Sequence, residues 1–271
     1  AHPGRFLPPP MTRSRIPMFT CLLVLVFFYL PIGLLVANSF NLSAFGTSWQ
    51  GFTLKWYARL FERRDLWEAL RNTLTVAVIA SSGAMVLGTL AAFALHRFHG
   101  RLQAAHNLLV TVPLVLPEIL MGMSLLSFFV AMGWGLGLAT ITVAHVTFCL
   151  SYVTLVVLAR LQDFDFTVVE AARDLGANRW NTFRLILFPL IAPGVLAGGL
   201  LAFTLSIDDF VVTFFVNGPG SKTLPVHIYS MIKHSRELPV INALSTLLLV
   251  VTFAAVWAAQ RLTQARKDTP A

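Results

Sequence analysis

The chain has 271 residues, of which 56% are hydrophobic and 12% charged, with a mean hydropathy of +0.74. A soluble domain carries about 25% charged residues, so this composition excludes a soluble enzyme and defines an integral membrane protein. The net charge of +8 and pI near 10.2 are read as arginines flanking apolar segments under the positive-inside rule, not as a nucleic-acid surface. The two cysteines, Cys21 and Cys149, lie inside apolar runs and are read as buried thiols, neither a disulfide framework nor metal ligands.

Residues 1–16 form a tail with Arg5, Arg13, Arg15 and a proline run; Met11 is a candidate start, so residues 1–10 need not be native. The apolar run from Pro17 to about Phe40 exceeds the roughly 7–15 residues of a signal-peptide core and reads as a first span with its N-terminus in the cytoplasm. A polar connection follows over residues 41–69, where Trp49, Trp56, Tyr57 and Trp67 are expected to be mostly interfacial belt residues. The second span is predicted from about Asn72 to Leu95. Ala80, Ala84, Gly88 and Ala92 recur there every four residues, giving a face of small side chains that lets another helix approach closely. His96 to Arg101 return the chain to the cytoplasm.

The third span, about Leu108 to Met132, is broken by Pro113 and Pro117 and carries Glu118 after the second proline. From Asn107 to Ala159 there is no Lys or Arg, so the Gly133–Gly137 turn is assigned outside. The fourth span, about Leu138 to Ala159, ends at Arg160 on the inside, and His145 within it is expected to be hydrogen-bonded structure.

A polar island interrupts the apolar runs over residues 161–188. Thr167 and Glu170 have the spacing of a capping box, so a helix should begin there. Gly176 supplies a left-handed helix stop, Asn178 can cap a second short helix, and Pro189 opens the next span. Val168, Val169, Ala172 and Leu175 give the first helix an apolar stripe, while Ala171 and Ala172 keep one side low enough for another protein to fit against it. A DNA-binding helix-turn-helix does not suit a hairpin held between two spans; a structural loop and a docking element for a cytoplasmic partner remain.

The fifth span, about Leu190 to Val216, has a small-residue face of Gly194, Gly198 and Ala202, and carries Asp208 and Asp209 toward its end. A carboxylate at membrane depth costs about 2.5–3.5 kcal/mol on insertion scales, so the two need compensation, with Thr204 and Thr213 at four-residue spacing as hydroxyl partners. They either cap a helix break or pair with an arginine of a neighbouring subunit, or else line a path for a cationic substrate with Glu118. Trp49 adds a candidate cation–π contact at the outer mouth. A second outer connection spans residues 217–239, a sixth span runs from about Pro239 to Ala259, and Arg261, Arg266 and Lys267 leave the C-terminus inside.

The pattern Glu170-Ala171-Ala172, then Gly176, then Ile186 and Pro189, resembles the EAA loop of permease subunits of bacterial ABC importers, with Phe188 where that family usually has Leu. The resemblance extends to the PotC-type permease family of spermidine/putrescine importers through Asn38-Ser39-Phe40-Asn41 with Phe45-Gly46, Trp49 to Thr53 with Lys55-Trp56-Tyr57, His145 to Cys149, Phe203 to Ser206 with Asp208-Asp209, and Asn242-Ala243-Leu244. It implies an all-α integral membrane protein of six transmembrane helices with the type I ABC importer permease fold, residues 17–271 forming one permease domain with a coupling loop at about 161–188. In that reading Glu170, Ala171, Ala172, Asp174, Leu175, Gly176, Ile186 and Pro189 couple to the ATPase, and Glu118, Asp208, Asp209 and Trp49 serve the substrate.

The implied partners are a second, PotB-like permease as heterodimer, two PotA-like ATPase subunits and a PotD-like periplasmic polyamine-binding protein, in a bacterial inner membrane with both termini cytoplasmic. No metal site and no cofactor are expected in this chain. A phosphate-binding loop needs a Gly-Lys pair, and Lys55, Lys222, Lys233 and Lys267 all lack a preceding glycine, so ATP and Mg belong to the partner ATPases. Two alternatives stand beside this reading: an importer of the same family for iron or an organophosphonate, and a proton-coupled secondary transporter using His145 and the carboxylates as a relay.

Overall fold

The computed structural model describes residues 16–43, 48–97, 100, 102–234 and 238–267, so most of the N-terminal tail and the Phe45-Gly46 pair lie outside the described residues. Among the described residues the elements are helical, apart from one isolated bridge between Asn41 and Phe52. The chain divides into two compact units, Ala1–Glu62 with His234–Ala271, and Arg63–Lys233.

In the first unit, helix α1 (Ile16–Ser39) packs against α12 (Leu238–Lys267), which also meets α2 (Lys55–Glu62). The apolar side chains of α1 are largely uncovered by protein, and Cys21 is exposed on it rather than buried as expected, because α1 has few neighbours within the chain. The first connection is tightly organised around Asn41. Its Oδ1 accepts the backbone N–H groups of Ser43 (3.1 Å) and Gln50 (3.0 Å), and its Nδ2 donates to Ser48 O (2.8 Å). Its carbonyl accepts Trp56 Nε1–H at 2.7 Å. Trp56 is therefore 2% exposed, an internal anchor rather than a belt residue. Tyr57 likewise turns inward, its hydroxyl 2.7 Å from Ser39 Oγ. Trp49, in the same unit, is 60% exposed.

The second unit is built on three long helices, α3 (Arg64–Arg97), α6 (Leu138–Gln162) and α9 (Phe188–Asp208), each packed on the other two. Helix α3 starts eight residues before the predicted span, with Asp65 in its first turn where the helix dipole favours a carboxylate. The small-residue faces do the packing their spacing predicts. Ala80, Ala84 and Ala92 are fully buried, and a Cβ added at Gly88 would sit 2.8 Å from Val153 Cβ and 3.0 Å from Leu150 O. A Cβ at Gly198 would meet the same Val153 from the other side, at 3.3 Å.

Gly88→Ala is accordingly expected to destabilise the detergent-solubilised protein by about 1–3 kcal/mol through overpacking, read as a lowered melting temperature. Gly33→Ala, where nothing lies within 4 Å of the added Cβ, should instead gain about 0.5–1 kcal/mol from helix propensity. Equal melting temperatures would contradict the packing described.

The third predicted span is two helices, α4 (Gln103–Val115) and α5 (Glu118–Ala131), bent by 112°. The proline ring of Pro117 disfavours helical geometry in the residue before it, and Leu116 is extended with ψ 134°. Pro113 stays inside α4. Short helices α7 (Thr167–Asp174) and α8 (Arg179–Thr182) form the polar hairpin; α10 (Val211–Val216) and α11 (Leu224–His234) follow α9. Rings of Phe210 and Phe214 pack on Tyr229 with centroids 4.9 and 5.9 Å apart. By length and hydropathy, Met18–Ser39, Arg64–Arg97, Leu138–Gln162 and Arg179–Asp208 can each cross a membrane, and the bent pair makes a fifth candidate. The apolar part of α12, Leu238–Ala254, is shorter.

Candidate functional site

The two helix breaks face one another in the second unit. The Pro117 break places Glu118 in the first turn of α5. The other break interrupts the fifth predicted span, which was expected to run to Val216 but ends as α9 at Asp208, with extended backbone at Asp209 (ψ 123°) before α10 begins. Between them lies a cleft of about 300 Å³ lined by Glu118, Asp208 and Asp209, with Phe148 and Tyr152 of α6 and Phe210. No Lys or Arg is among its lining residues. The structure thus brings together the three predicted acids, while Trp49 is not among the lining residues.

The acids are not equivalent. Asp209 is committed to protein donors: Oδ1 accepts Val212 N–H (3.3 Å), and Oδ2 accepts both the N–H (2.8 Å) and the hydroxyl (2.7 Å) of Thr213. It caps the positive end of α10 in place of the missing helical bonds. Asp208 is exposed to the cleft and lacks the predicted hydroxyl partner on its own helix. The Thr204 hydroxyl turns back to Leu200 O (3.1 Å) and Leu201 O (2.8 Å), satisfying the backbone one turn earlier. Glu118 is also exposed. Helix-break capping therefore describes Asp209, and an open carboxylate describes Asp208 and Glu118.

His145 is fully buried beside the cleft with both ring nitrogens engaged, Nδ1 2.7 Å from Ser206 Oγ and Nε2 2.9 Å from Thr213 Oγ1 and 3.3 Å from Asp209 Oδ2. The sequence reading of His145 as hydrogen-bonded structure matches this environment. Phe148 and Tyr152 escaped sequence reasoning as cleft residues. Their signal was their spacing of three and seven residues after His145, which puts all three on one helical face.

The polar hairpin begins differently from its predicted cap. Helix α7 starts at Thr167 as expected, but neither side chain of the Thr167–Glu170 pair caps it. Asp165 Oδ1 accepts Thr167 N–H at 3.0 Å instead, and this backbone hydrogen bond holds the Asp165 carboxyl below its ordinary value. Val169 and Ala172 turn inward, whereas Val168 and Leu175, assigned to the same stripe, point outward, Leu175 being 89% exposed. Glu170, Ala171, Asp174 and Gly176 are exposed as well, and Ile186 is half-buried. Gly176 ends the helix with φ +86°, and Asn178 caps α8 by accepting Asn181 N–H at 2.7 Å.

Pro189 does not open a new helix. A π-helical turn over Phe183–Leu187 joins α8 to α9 without interruption, giving one helix from Arg179 to Asp208. Pro189 has no N–H and its ring would clash with the carbonyl four residues back, and the wider turn just before it relieves that conflict. At the base of the hairpin, the rings of His96 and Phe166 stack with centroids 4.9 Å apart, tying the end of α3 to the start of the loop.

Residues 84–267 match the family described as binding-protein-dependent transport system inner membrane component, and the chain belongs to that family of transport subunits. Among its relatives is the spermidine/putrescine transport system permease protein PotC of Escherichia coli (strain K12), 43% identical over 237 residues that cover 88% of this chain and 89% of the relative. The putrescine transport system permease protein PotI of the same organism is 42% identical over 248 residues, covering 89% and 88%. The fold is also that of a solved bacterial ABC transporter involved in the import of the acidic polysaccharide alginate, with a TM-score of 0.71 at 15% identity over 94% of this chain and 99% of that one. A membrane transport subunit, rather than an enzyme, is what the fold and the relatives define.

Proposed function

We propose that this chain is a permease subunit of an ATP-driven ABC importer that carries polyamines, spermidine or putrescine, across a bacterial inner membrane. The observation that carries the proposal is the cleft in which Glu118 and Asp208 stand open, with Asp209 beside them and no basic side chain in the lining. A polyamine presents several ammonium groups, and open carboxylates at membrane depth would compensate them; an organophosphonate would meet like charge instead. The identity to polyamine permeases over most of the chain supports the same cargo.

The bundle would cross the membrane six times with both termini cytoplasmic, α4 and α5 counting as one broken span and α12 as the last. The hairpin, with Leu175 and Trp180 exposed, would dock on a PotA-like ATPase that binds Mg and ATP. A second, PotB-like permease would complete the translocation path, and a PotD-like periplasmic protein would deliver the polyamine. Docking and closure of the ATPases would then switch the bundle between outward-open and inward-open states.

Reconstitution tests this directly. The chain is placed in proteoliposomes with its partner permease, both ATPases and the binding protein, and uptake of radiolabelled putrescine and spermidine is followed. Uptake should require ATP, and the chain alone under a proton gradient should move nothing. ATP-dependent uptake of a phosphonate but not of either polyamine would overturn the cargo assignment, and proton-driven uptake by the chain alone would overturn the class.

A further inference from the structure

The fifth span is cut at Asp209, and a cut span lying against a cargo cleft needs something to fix the relation of its halves. Helix α6 does this at three levels. Cys149 Sγ contacts Ala202 O of α9 at 3.4 Å, and Thr140 Oγ1 donates to Val216 O at the far end of α10 at 2.8 Å. Between them His145 reaches both sides of the break at once, Ser206 before it and Thr213 after it. The roles within this cluster follow from donor and acceptor counting. The Thr213 hydroxyl gives its proton to the Asp209 carboxylate, which can only accept; Nε2–H therefore donates to Thr213 Oγ1, and Nδ1 pairs with the Ser206 hydroxyl. Each side chain of the cluster thereby has a partner, and His145 at its centre is fully buried.

We infer that His145 is a positioning residue of the cargo cleft: by clasping Ser206 on α9 and Thr213 on α10, it fixes the angle of the break and hence where Asp208 stands, while keeping Asp209 engaged with the protein. The inference rests on the proposed cleft as the cargo path, and it adds a division of labour among the acids. Of the three cleft carboxylates, Asp209 serves the break, and Glu118 and Asp208 are left free for cargo. His145 itself touches no substrate, since it is fully buried.

The test reads the position of residue 208 without using any cargo. In the assembled transporter, Asp208→Cys is introduced in a Cys21→Ser background and its rate of modification by a trimethylammonium methanethiosulfonate reagent is measured; buried Cys149 is inert to it. Adding Thr213→Val, which keeps the side-chain shape but removes one arm of the clasp, should change that rate by about fivefold or more, in line with the loss of a buried hydrogen-bond partner. His145→Leu should change it at least as much, and Thr213→Ser should restore it.

Rates within about twofold of the parent for both His145→Leu and Thr213→Val, on the same scale of hydrogen-bond loss, would overturn the inference. If His145→Leu does not assemble, the Thr213 pair decides alone. Failure of the wild-type transporter to take up polyamines would overturn the cargo reading and leave the labelling result standing, so the two failures are distinguishable.

Discussion

Replacing Glu118 by Gln and Asp208 by Asn together is expected to lower ATP-dependent polyamine uptake by at least about a hundredfold, since the amides remove the negative charges that would offset the cost, about 2.5–3.5 kcal/mol, of a cargo ammonium at membrane depth. The amides keep the size and hydrogen-bonding shape of the acids, and both side chains face the cleft rather than the packed interior. The loss therefore falls on the cargo and not on the fold. Initial uptake rates in proteoliposomes measure it, with co-purification of the ATPases as the control for assembly. Asp209→Ala should behave differently, because it removes the cap of α10 and an acceptor for two donors of Thr213. Its uptake should fall together with the yield of assembled transporter. Normal uptake by the Glu118/Asp208 double variant would remove both acids from the path.

A second large effect is expected at the hairpin. Gly176 lies at φ +86°, yet nothing stands within 4 Å of a Cβ built there. The cost of substitution is therefore one of backbone conformation alone, about 1–2 kcal/mol for an ordinary residue and more when the side chain is β-branched. Gly176→Val should open the turn, misplace Leu175 and Asn178 on either side of it, and release the ATPases during detergent purification. Gly176→Asn, which tolerates the left-handed region, should retain them. Retention of the ATPases by Gly176→Val at wild-type yield would count against the hairpin as their docking element.

The parts of this structure that were readable from sequence are those fixed by local chemistry. A four-residue spacing of small side chains on α3 and α9 can only make a close-packing face once the segment is helical. Pro117 constrains Leu116 whatever surrounds it. Gly176 and Asn178 mark their turn and cap through backbone geometry and one short side chain. What escaped depends on distant partners. His145 meets Ser206 and Thr213 across 61 and 68 residues, so no spacing rule could pair them.

The burial of Trp56 required the chain to fold back on Asn41, and an aromatic beside a span otherwise reads as an interfacial anchor. The cap at Asp165 outcompeted a pattern equally acceptable on paper, because Thr167 and Asp165 both stood within reach of the first free N–H groups. The end of α9 was hidden for a related reason. Apolar residues continue past it to Val216, and only the capping bonds of Asp209 mark the break.

The π-helical turn has a mechanical consequence. Because it joins the hairpin to α9 with no break, Arg179 to Asp208 is one continuous helix of 30 residues, about 45 Å long at 1.5 Å per residue. One end carries exposed Trp180, the other the open carboxylate of Asp208. A tilt of only about 5° at the hairpin end of a helix that long would move its far end by roughly 4 Å, comparable to the reach of an ion pair. Leverage along this one helix would then carry a displacement from the hairpin to the acid without any relay of side-chain contacts.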